Sequence, residues 1–158
     1  MNSQNEQQIL QNLDEILKDE KVEKIINSVI AEVEKELNDS KVSSITKTVS
    51  LSVFRNKLPE SINLCRVFIL RADAKSKVER HTNSFQRTLT WKGNGETKVL
   101  ENDKWTLYRT KSAGINLEDR WISVPANIWH QPISGNKNWI TVTFHTASEN
   151  EIIDEYTN

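Results

Sequence analysis

Two short stretches of the chain carry the side chains best suited to chemistry, and each contains a histidine. In the first, Glu79–Gln86, a carboxylate, an imidazole and an amide fall within eight residues. In the second, Asp119–His130, a predicted strand runs into a tight turn at Pro125 and ends at a histidine. Residues two apart on a strand project from the same face, so Glu79 and His81 can point into one pocket. The two stretches together predict a pocket of the size of a metal site.

The size and composition of the chain limit what can surround this pocket. Its 158 residues suffice for one domain with a single core. The lone Cys65 excludes an internal disulfide and a multi-cysteine zinc site, and residues 1–6 do not resemble a signal peptide. We therefore expect a cytoplasmic protein. We expect no membrane association, because no apolar run approaches the roughly 20 residues that cross a bilayer.

The charged residues are divided unevenly along the chain. Residues 1–40 carry ten acidic and four basic side chains, and residues 41–158 carry twelve and seventeen, which gives net charges of −6 and +5. The basic residues of the second part are spread singly, without an RNA-binding motif, so we expect no nucleic-acid partner. The division instead predicts an acidic helical segment that packs beside, or is solvated near, a mildly basic barrel.

The N-terminal segment, residues 1–40, has helical periodicity. Apolar residues recur every three or four positions from Gln4 to Asn38, and polar residues interrupt this pattern at Lys18–Lys21. Two helices at 4–18 and 20–38 are predicted, and one long bent helix is the alternative. We expect the apolar stripe to form core or a dimer interface, and the protein to be a homodimer.

The next part, residues 41–147, changes to period-two alternation of β-branched and aromatic residues. The sequence predicts strands at 45–54, 63–71, 86–91, 97–100, 105–110, 120–124 and 139–145. Short strands at regular spacing, separated by turn residues, are typical of an antiparallel sandwich or barrel. The last residues, 148–158, are predicted to be an acidic, weakly helical tail on the surface.

The first histidine stretch resembles a motif of the cupin superfamily, whose members are small jelly-roll barrels. The positions that correspond are Asp73, Glu79, His81, Gln86 and Gly93, with five, one, four and six residues between them as in the motif. The family usually has a histidine where this chain has Glu79, and a glutamate where it has Gln86. The spacing is therefore kept while half of the ligand set is changed.

The second stretch resembles the second motif of the same superfamily. Asp119, Pro125, Asn127, His130 and Ser134 keep its intervals of five, one, two and three residues. Asn127 replaces a turn glycine, which is a mild change because asparagine tolerates left-handed backbone. The resemblance covers roughly residues 60–146 and implies a mainly β fold, a single cupin-like double-stranded β-helix preceded by two helices.

This resemblance implies a metal site built from Glu79, His81, Gln86 and His130. One carboxylate, two imidazoles and one amide oxygen suit iron, manganese, nickel or zinc, with solvent or substrate in the remaining positions. We expect a divalent metal here, with Glu79 as a catalytic base as well as a ligand. The alternative is a metal-free polar pocket, because an amide is a weak ligand and Glu79 could instead pair with a neighbouring arginine.

Three further residues are candidates for binding a ligand. Trp129 could stack on it at the pocket mouth, and His145 could reach the pocket from the last strand, although a hydrogen-bonded strand histidine is the simpler interpretation. Arg87 enters through an alternative register, in which His81 and Asn83 form the ligand pair and Arg87 stands at the glutamate position. That site would bind an anion rather than a metal.

The function predicted from the resemblance is small-molecule binding with a divalent metal in the barrel. Dioxygenase, isomerase and lyase activities all occur on this barrel, so the fold does not choose among them. A metal-free binding or regulatory module that dimerises is the alternative, and an assembly protein that dimerises through its helices is a third possibility.

Overall fold

The computed structural model describes residues 4–157 and shows a mainly β protein that begins with two helices. Residues 1–3 and 158, which the sequence assigns to the N-terminal segment and the tail, lie outside the described residues. The helices are α1 (Gln4–Leu17), α2 (Glu20–Asn38) and the short α3 (Leu117–Arg120), and a 3₁₀ helix spans Leu51–Phe54. Two separate N-terminal helices are thus confirmed. Asp19 begins α2 by accepting hydrogen bonds from the backbone N–H groups of Lys21 and Val22.

The strands of the described chain form two five-stranded antiparallel sheets. The strands are β1 (Ser44–Val49), β2 (Leu64–Leu70), β3 (Val78–His81), β4 (Gln86–Lys92), β5 (Asn94–Glu101), β6 (Lys104–Lys111), β7 (Trp121–Val124), β8 (His130–Ser134), β9 (Trp139–His145) and β10 (Asp154–Thr157). The first sheet has the order β1-β2-β9-β4-β7, and the second has the order β10-β3-β8-β5-β6. This is the predicted jelly-roll arrangement.

Among the differences from the sequence prediction, three concern how strands begin, end or pair. The first predicted strand ends at Val49, because Ser50 caps a 3₁₀ helix over the residues that follow. The segment 130–134, for which no strand was predicted, forms β8. The predicted weakly helical tail is wrong, since residues 154–157 form β10 and pair with β3. The local sequence of residues 154–157 does not indicate a strand, because the strand forms by pairing with a segment that is distant in sequence.

The cupin motifs that this chain resembles have glycines at positions 73, 93, 119 and 127, and three of these positions have left-handed backbone here. Asp73, Gly93 and Asn127 have φ angles of 57°, 83° and 65°. Asp119, by contrast, lies in α3 and accepts a hydrogen bond from the backbone N–H of Asn116. The turn geometry of the motif is therefore kept at positions 73 and 127 by residues with short polar side chains, which tolerate this conformation better than most.

The main hydrophobic core lies outside the barrel, between the first sheet and the helices. Leu13 and Ile26 from the helices are fully buried in one cluster with Val67 of β2 and Val142 of β9. The alternate residues of the same strands point into the barrel, and many of them are threonines. Because the helices supply the apolar partner for this sheet, the barrel interior is free to be polar.

Ion pairs fix the acidic helices to the basic barrel, as the uneven charge distribution predicts. Arg87 of β4 donates from Nε and Nη2 to the carboxylate of Glu6, each at 2.7 Å, and Ser123 donates to the same carboxylate. Asp14 accepts in a similar way from Arg120 and from the indole of Trp121. No helix in residues 4–157 combines the length and apolar character that crossing a membrane requires.

Candidate metal centre

The candidate centre lies between the two sheets, where β3 and β8 run side by side. Glu79 of β3 is directly opposite His130 of β8, and His81 follows Glu79 on the same face. One potential ligand atom from each of these three residues lies within 4.8 Å of the others. Such a separation allows one ion to contact all three after small side-chain movements, because metal–ligand bonds to nitrogen and oxygen are about 2 Å long.

His130 presents an unpaired nitrogen to this cluster. Its ring is fully buried, and its Nδ1 lies 3.0 Å from the carbonyl oxygen of Ile128, to which it donates as the protonated nitrogen. The Nε2 atom has no hydrogen-bond partner among the described residues and lies 3.7 Å from Oε1 of Glu79. Burial lowers the pKa of His130 to about 4, which keeps the ring neutral. A neutral imidazole with a free Nε2 lone pair is the form that binds a metal.

His81 is held at both ring nitrogens. Its Nδ1 lies 2.6 Å from Oδ1 of Asp154, and its Nε2 lies 2.7 Å from Oε1 of Gln86. A carboxylate on the far nitrogen of a histidine is the usual partner that orients a metal-binding imidazole. Nδ1 donates to Asp154, and Nε2 faces the side-chain amide of Gln86, which can accept in one orientation and donate in the other. Nε2 is therefore the nitrogen that His81 would offer to an ion.

Glu79 is the acidic member of the cluster. Its side chain is 22% exposed and lines the cavity. Burial raises the pKa of Glu79, the charge of Asp154 raises it further, and the charge of His81 opposes both effects. A divalent ion beside Glu79 would favour the ionised carboxylate for the same electrostatic reason that Asp154 disfavours it.

His145 lies next to the cluster without belonging to it. Its ring is 4.9 Å from that of His81, centroid to centroid, in an edge-to-face arrangement, and it lines the cavity. Burial lowers the pKa of His145 well below its usual value, and the charges of His81 and Arg66 act in the same direction. His145 therefore offers a neutral ring to the cavity.

Two residues expected to contact a ligand lie elsewhere. Arg87 projects from the opposite face of β4, toward α1, where Glu6 binds it. Trp129 stacks under Arg80, whose guanidinium lies 4.5 Å from the indole ring centroid, and it is not among the residues that line the cavity. For Arg87 this placement follows from strand alternation, since its inward neighbour on β4 is Gln86, whereas Trp129 lies just before β8, whose first residue His130 belongs to the cluster.

The cavity that reaches this cluster has a volume of about 680 Å³. Most of the residues that line it are polar, and they come from both sheets, including Thr46, Thr48, Thr88, Thr97, Thr141 and Thr143. Asp154 and Arg66 also line it. The sequence did not indicate Asp154, and it indicated Arg66 only as one of five strand arginines, any inward-facing member of which could hold a carboxylate, with a surface position expected for most. Asp154 was missed because its strand was not predicted. The inward direction of Arg66 could have been inferred from strand alternation, because its neighbour Val67 is apolar and faces the helices.

The sequence matches no protein-family model and no curated protein. Solved structures do match, and oxalate oxidase aligns with a TM-score of 0.57 and 8% identity over 75% of this chain and 57% of that one. Recombinant pro-11S globulin of pumpkin aligns with a TM-score of 0.57 and 14% identity over 74% of this chain and 29% of that one. Oxalate decarboxylase aligns with a TM-score of 0.56 and 10% identity over 74% of this chain and 29% of that one.

These structures are all cupin-superfamily members, and they include both enzymes and storage globulins. The likeness confirms the predicted cupin fold. This chain spans only 29% to 57% of their lengths.

Proposed function

We propose that this cupin-fold protein binds a divalent metal ion through Glu79, His81, Gln86 and His130 and uses it to act on a small molecule in the cavity. The observation that carries the proposal is the buried Nε2 of His130, which has no hydrogen-bond partner within residues 4–157 and lies 3.7 Å from a carboxylate oxygen of Glu79. A buried polar atom without a partner costs about 1–3 kcal/mol. A bound ion would remove that cost, because Nε2 would then coordinate it.

The donor set decides which ions fit. Two imidazoles and one carboxylate suit iron, manganese, nickel and zinc, whereas calcium and magnesium prefer oxygen ligands throughout. The bound ion would supply Lewis-acid polarisation of a substrate oxygen. Glu79 would then accept a proton from the substrate or from water, since it lines the cavity as well as the cluster. Dioxygenase, isomerase and lyase reactions are all compatible with this donor set.

A second candidate function, metal-free ligand binding, is favoured by the contacts of His81. Asp154 and Gln86 already lie at hydrogen-bond distance from both of its nitrogens, so this part of the site is satisfied without an ion. In that case the cavity is a polar binding site for a small molecule. The two candidates differ in whether the purified protein holds a transition metal.

Elemental analysis of the untagged protein, expressed in metal-replete medium and compared with matched variants, distinguishes them. The variants are His130→Phe, which removes the unpaired nitrogen, and His145→Phe, which removes a buried histidine outside the cluster. We expect about one transition-metal ion per chain in the wild type and in His145→Phe, and a loss of metal in His130→Phe. Wild-type protein without metal would refute the metal proposal. Equal loss in both variants would refute the assignment of His130 in particular.

A further inference from the structure

Arg66 of β2 places a guanidinium in the cavity beside the candidate centre. Its side chain is 15% exposed and lines the cavity wall. It is close enough for its charge to act on the carboxyl group of Glu79 and on the ring of His145. Within residues 4–157 its guanidinium donates a hydrogen bond from Nη2 to Oε2 of Glu149, at 3.2 Å. The other N–H donors of the guanidinium are available to a ligand.

Glu149, the partner of Arg66, lies in the turn after β9, at the mouth of the cavity. Its side chain is 52% exposed, and its Oε2 also accepts a hydrogen bond from Oγ1 of Thr48, at 3.0 Å. An ion pair with one partner this exposed contributes little to stability, because water and salt compete with it. Another carboxylate can therefore replace Glu149 on Arg66 at small cost.

The charges of the cavity wall favour an anionic occupant once a metal is present. The basic side chains Arg66, Lys75 and Lys77 line the cavity together with three carboxylates, so its formal charges cancel. A divalent ion in the cluster makes the total positive, and a cavity with low-dielectric walls concentrates that field. Six threonines and three serines also line the cavity, and their hydroxyls can hydrogen-bond to polar substituents of either kind.

We propose that the cavity binds a small carboxylic acid, whose carboxylate takes the place of Glu149 on Arg66. This proposal rests on the proposed function, because the excess positive charge comes from the metal. Arg66 is then a specificity-determining residue, and Glu149 is an internal competitor that occupies the carboxylate position until the ligand displaces it. The bidentate geometry of guanidinium with carboxylate accounts for selection of an acid over a neutral alcohol.

Calorimetric titration with glycolate tests this proposal, with ethylene glycol as the neutral probe of similar size. The proteins are metal-loaded wild type, Arg66→Gln, Glu149→Gln and, as the matched control, Lys47→Gln. Lys47 lies on β1 next to β2 but pairs with Glu32 of α2, outside the cavity. Metal content and melting temperature are measured for each protein, so that loss of the ion or of the fold is recognised separately.

We expect Arg66→Gln to keep its metal and to bind glycolate at least tenfold more weakly than wild type. Glu149→Gln is expected to bind it several-fold more tightly, because the competing carboxylate is gone, and Lys47→Gln is expected to match wild type. Equal glycolate affinity in wild type and Arg66→Gln, weaker binding by Glu149→Gln, or equal binding of ethylene glycol would each overturn the proposal.

Wild type that holds no metal would instead contradict the proposed function. The same titration of the metal-free proteins then decides whether Arg66 binds the carboxylate, and equal affinities with and without Arg66 again overturn its role.

Discussion

Two single substitutions at neighbouring residues of β9 test whether the hydrophobic core lies outside the barrel. Val142 is fully buried in the cluster with the helices, whereas Thr143 points into the cavity. Val142→Thr replaces a methyl group with a hydroxyl of the same shape in an apolar environment. Burying a hydroxyl without a hydrogen-bond partner costs about 2 kcal/mol in protein cores. For a chain of this size that cost corresponds to a fall in melting temperature of about 4–8 °C.

Thr143→Val is the matched control, with the same pair of residue types exchanged in the opposite direction. Its hydroxyl lies 3.2 Å from Oγ1 of Thr88, and Thr88 also accepts a hydrogen bond from Nε2 of Gln86 at 3.2 Å. Losing the first of these two bonds leaves the second, so the expected cost is below about 1 kcal/mol.

Urea unfolding followed by far-ultraviolet circular dichroism measures both free energies. The slope of the free energy against urea should be the same in both variants, since neither changes the surface exposed on unfolding. The expected order is a larger loss for Val142→Thr than for Thr143→Val. Equal losses, or the reverse order, would refute the assignment of the apolar core to the helix side of this sheet.

Three further predictions concern single side chains. Burial raises the pKa of Glu6, but hydrogen bonds from Arg87 and Ser123 outweigh burial and leave it below the ordinary value of 4.5. Glu6 therefore stabilises the fold above about pH 4.5 and loses this effect as the pH falls through its lowered pKa, so Glu6→Gln should be less stable at pH 7 and differ less from wild type in acid. Asp154→Asn should weaken metal binding about 10- to 100-fold, measured by titration with a metal-competing dye, because Asp154 orients His81. The Cys65 thiol is fully buried and burial raises its pKa, so it should react with a thiol reagent only after unfolding.

Each of these predictions has an outcome that contradicts it. A constant stability difference between Glu6→Gln and wild type from pH 7 to pH 3 would mean that the pKa of Glu6 is not lower in the folded protein than in the unfolded chain. For Asp154, the control is Glu155→Gln on the same strand, whose side chain pairs with Arg80. Equal metal affinities in Asp154→Asn and Glu155→Gln would show that Asp154 does not orient His81 for metal binding. Rapid labelling of Cys65 in native protein would show that the helices open readily from the sheet.

The helical segment was predictable almost to the residue, because its pattern is local. Apolar residues at helical spacing and the polar interruption before α2 define two helices, and Asp19 supplies the cap in the structure. The pairing of Glu6 with Arg87 was predictable only as a general attraction between an acidic segment and a basic one. The partner of each charge depends on which face of β4 is turned toward α1, which the sequence does not show.

The candidate site was predictable where it follows strand alternation and uncertain where it depends on contacts between distant segments. The intervals around His81 and His130 indicated two residues that lie in one cluster in the structure. Asp154 was not predicted, because it reaches His81 through a pairing of strands 73 residues apart in sequence. Arg87 was expected near a ligand because its register relative to Gln86 was ambiguous in the sequence.

The position of the apolar core has a consequence for how this fold can change. In a barrel that packs apolar side chains in its interior, a new ligand requires substitutions in the same residues that hold the protein together. Here the helices take over that stabilising role, and the wall threonines such as Thr97 and Thr141 contribute mainly polarity to the cavity. Selection for a different ligand can therefore act on the cavity wall with little loss of stability, and the two helices supply the tolerance to mutation that makes such a change accessible.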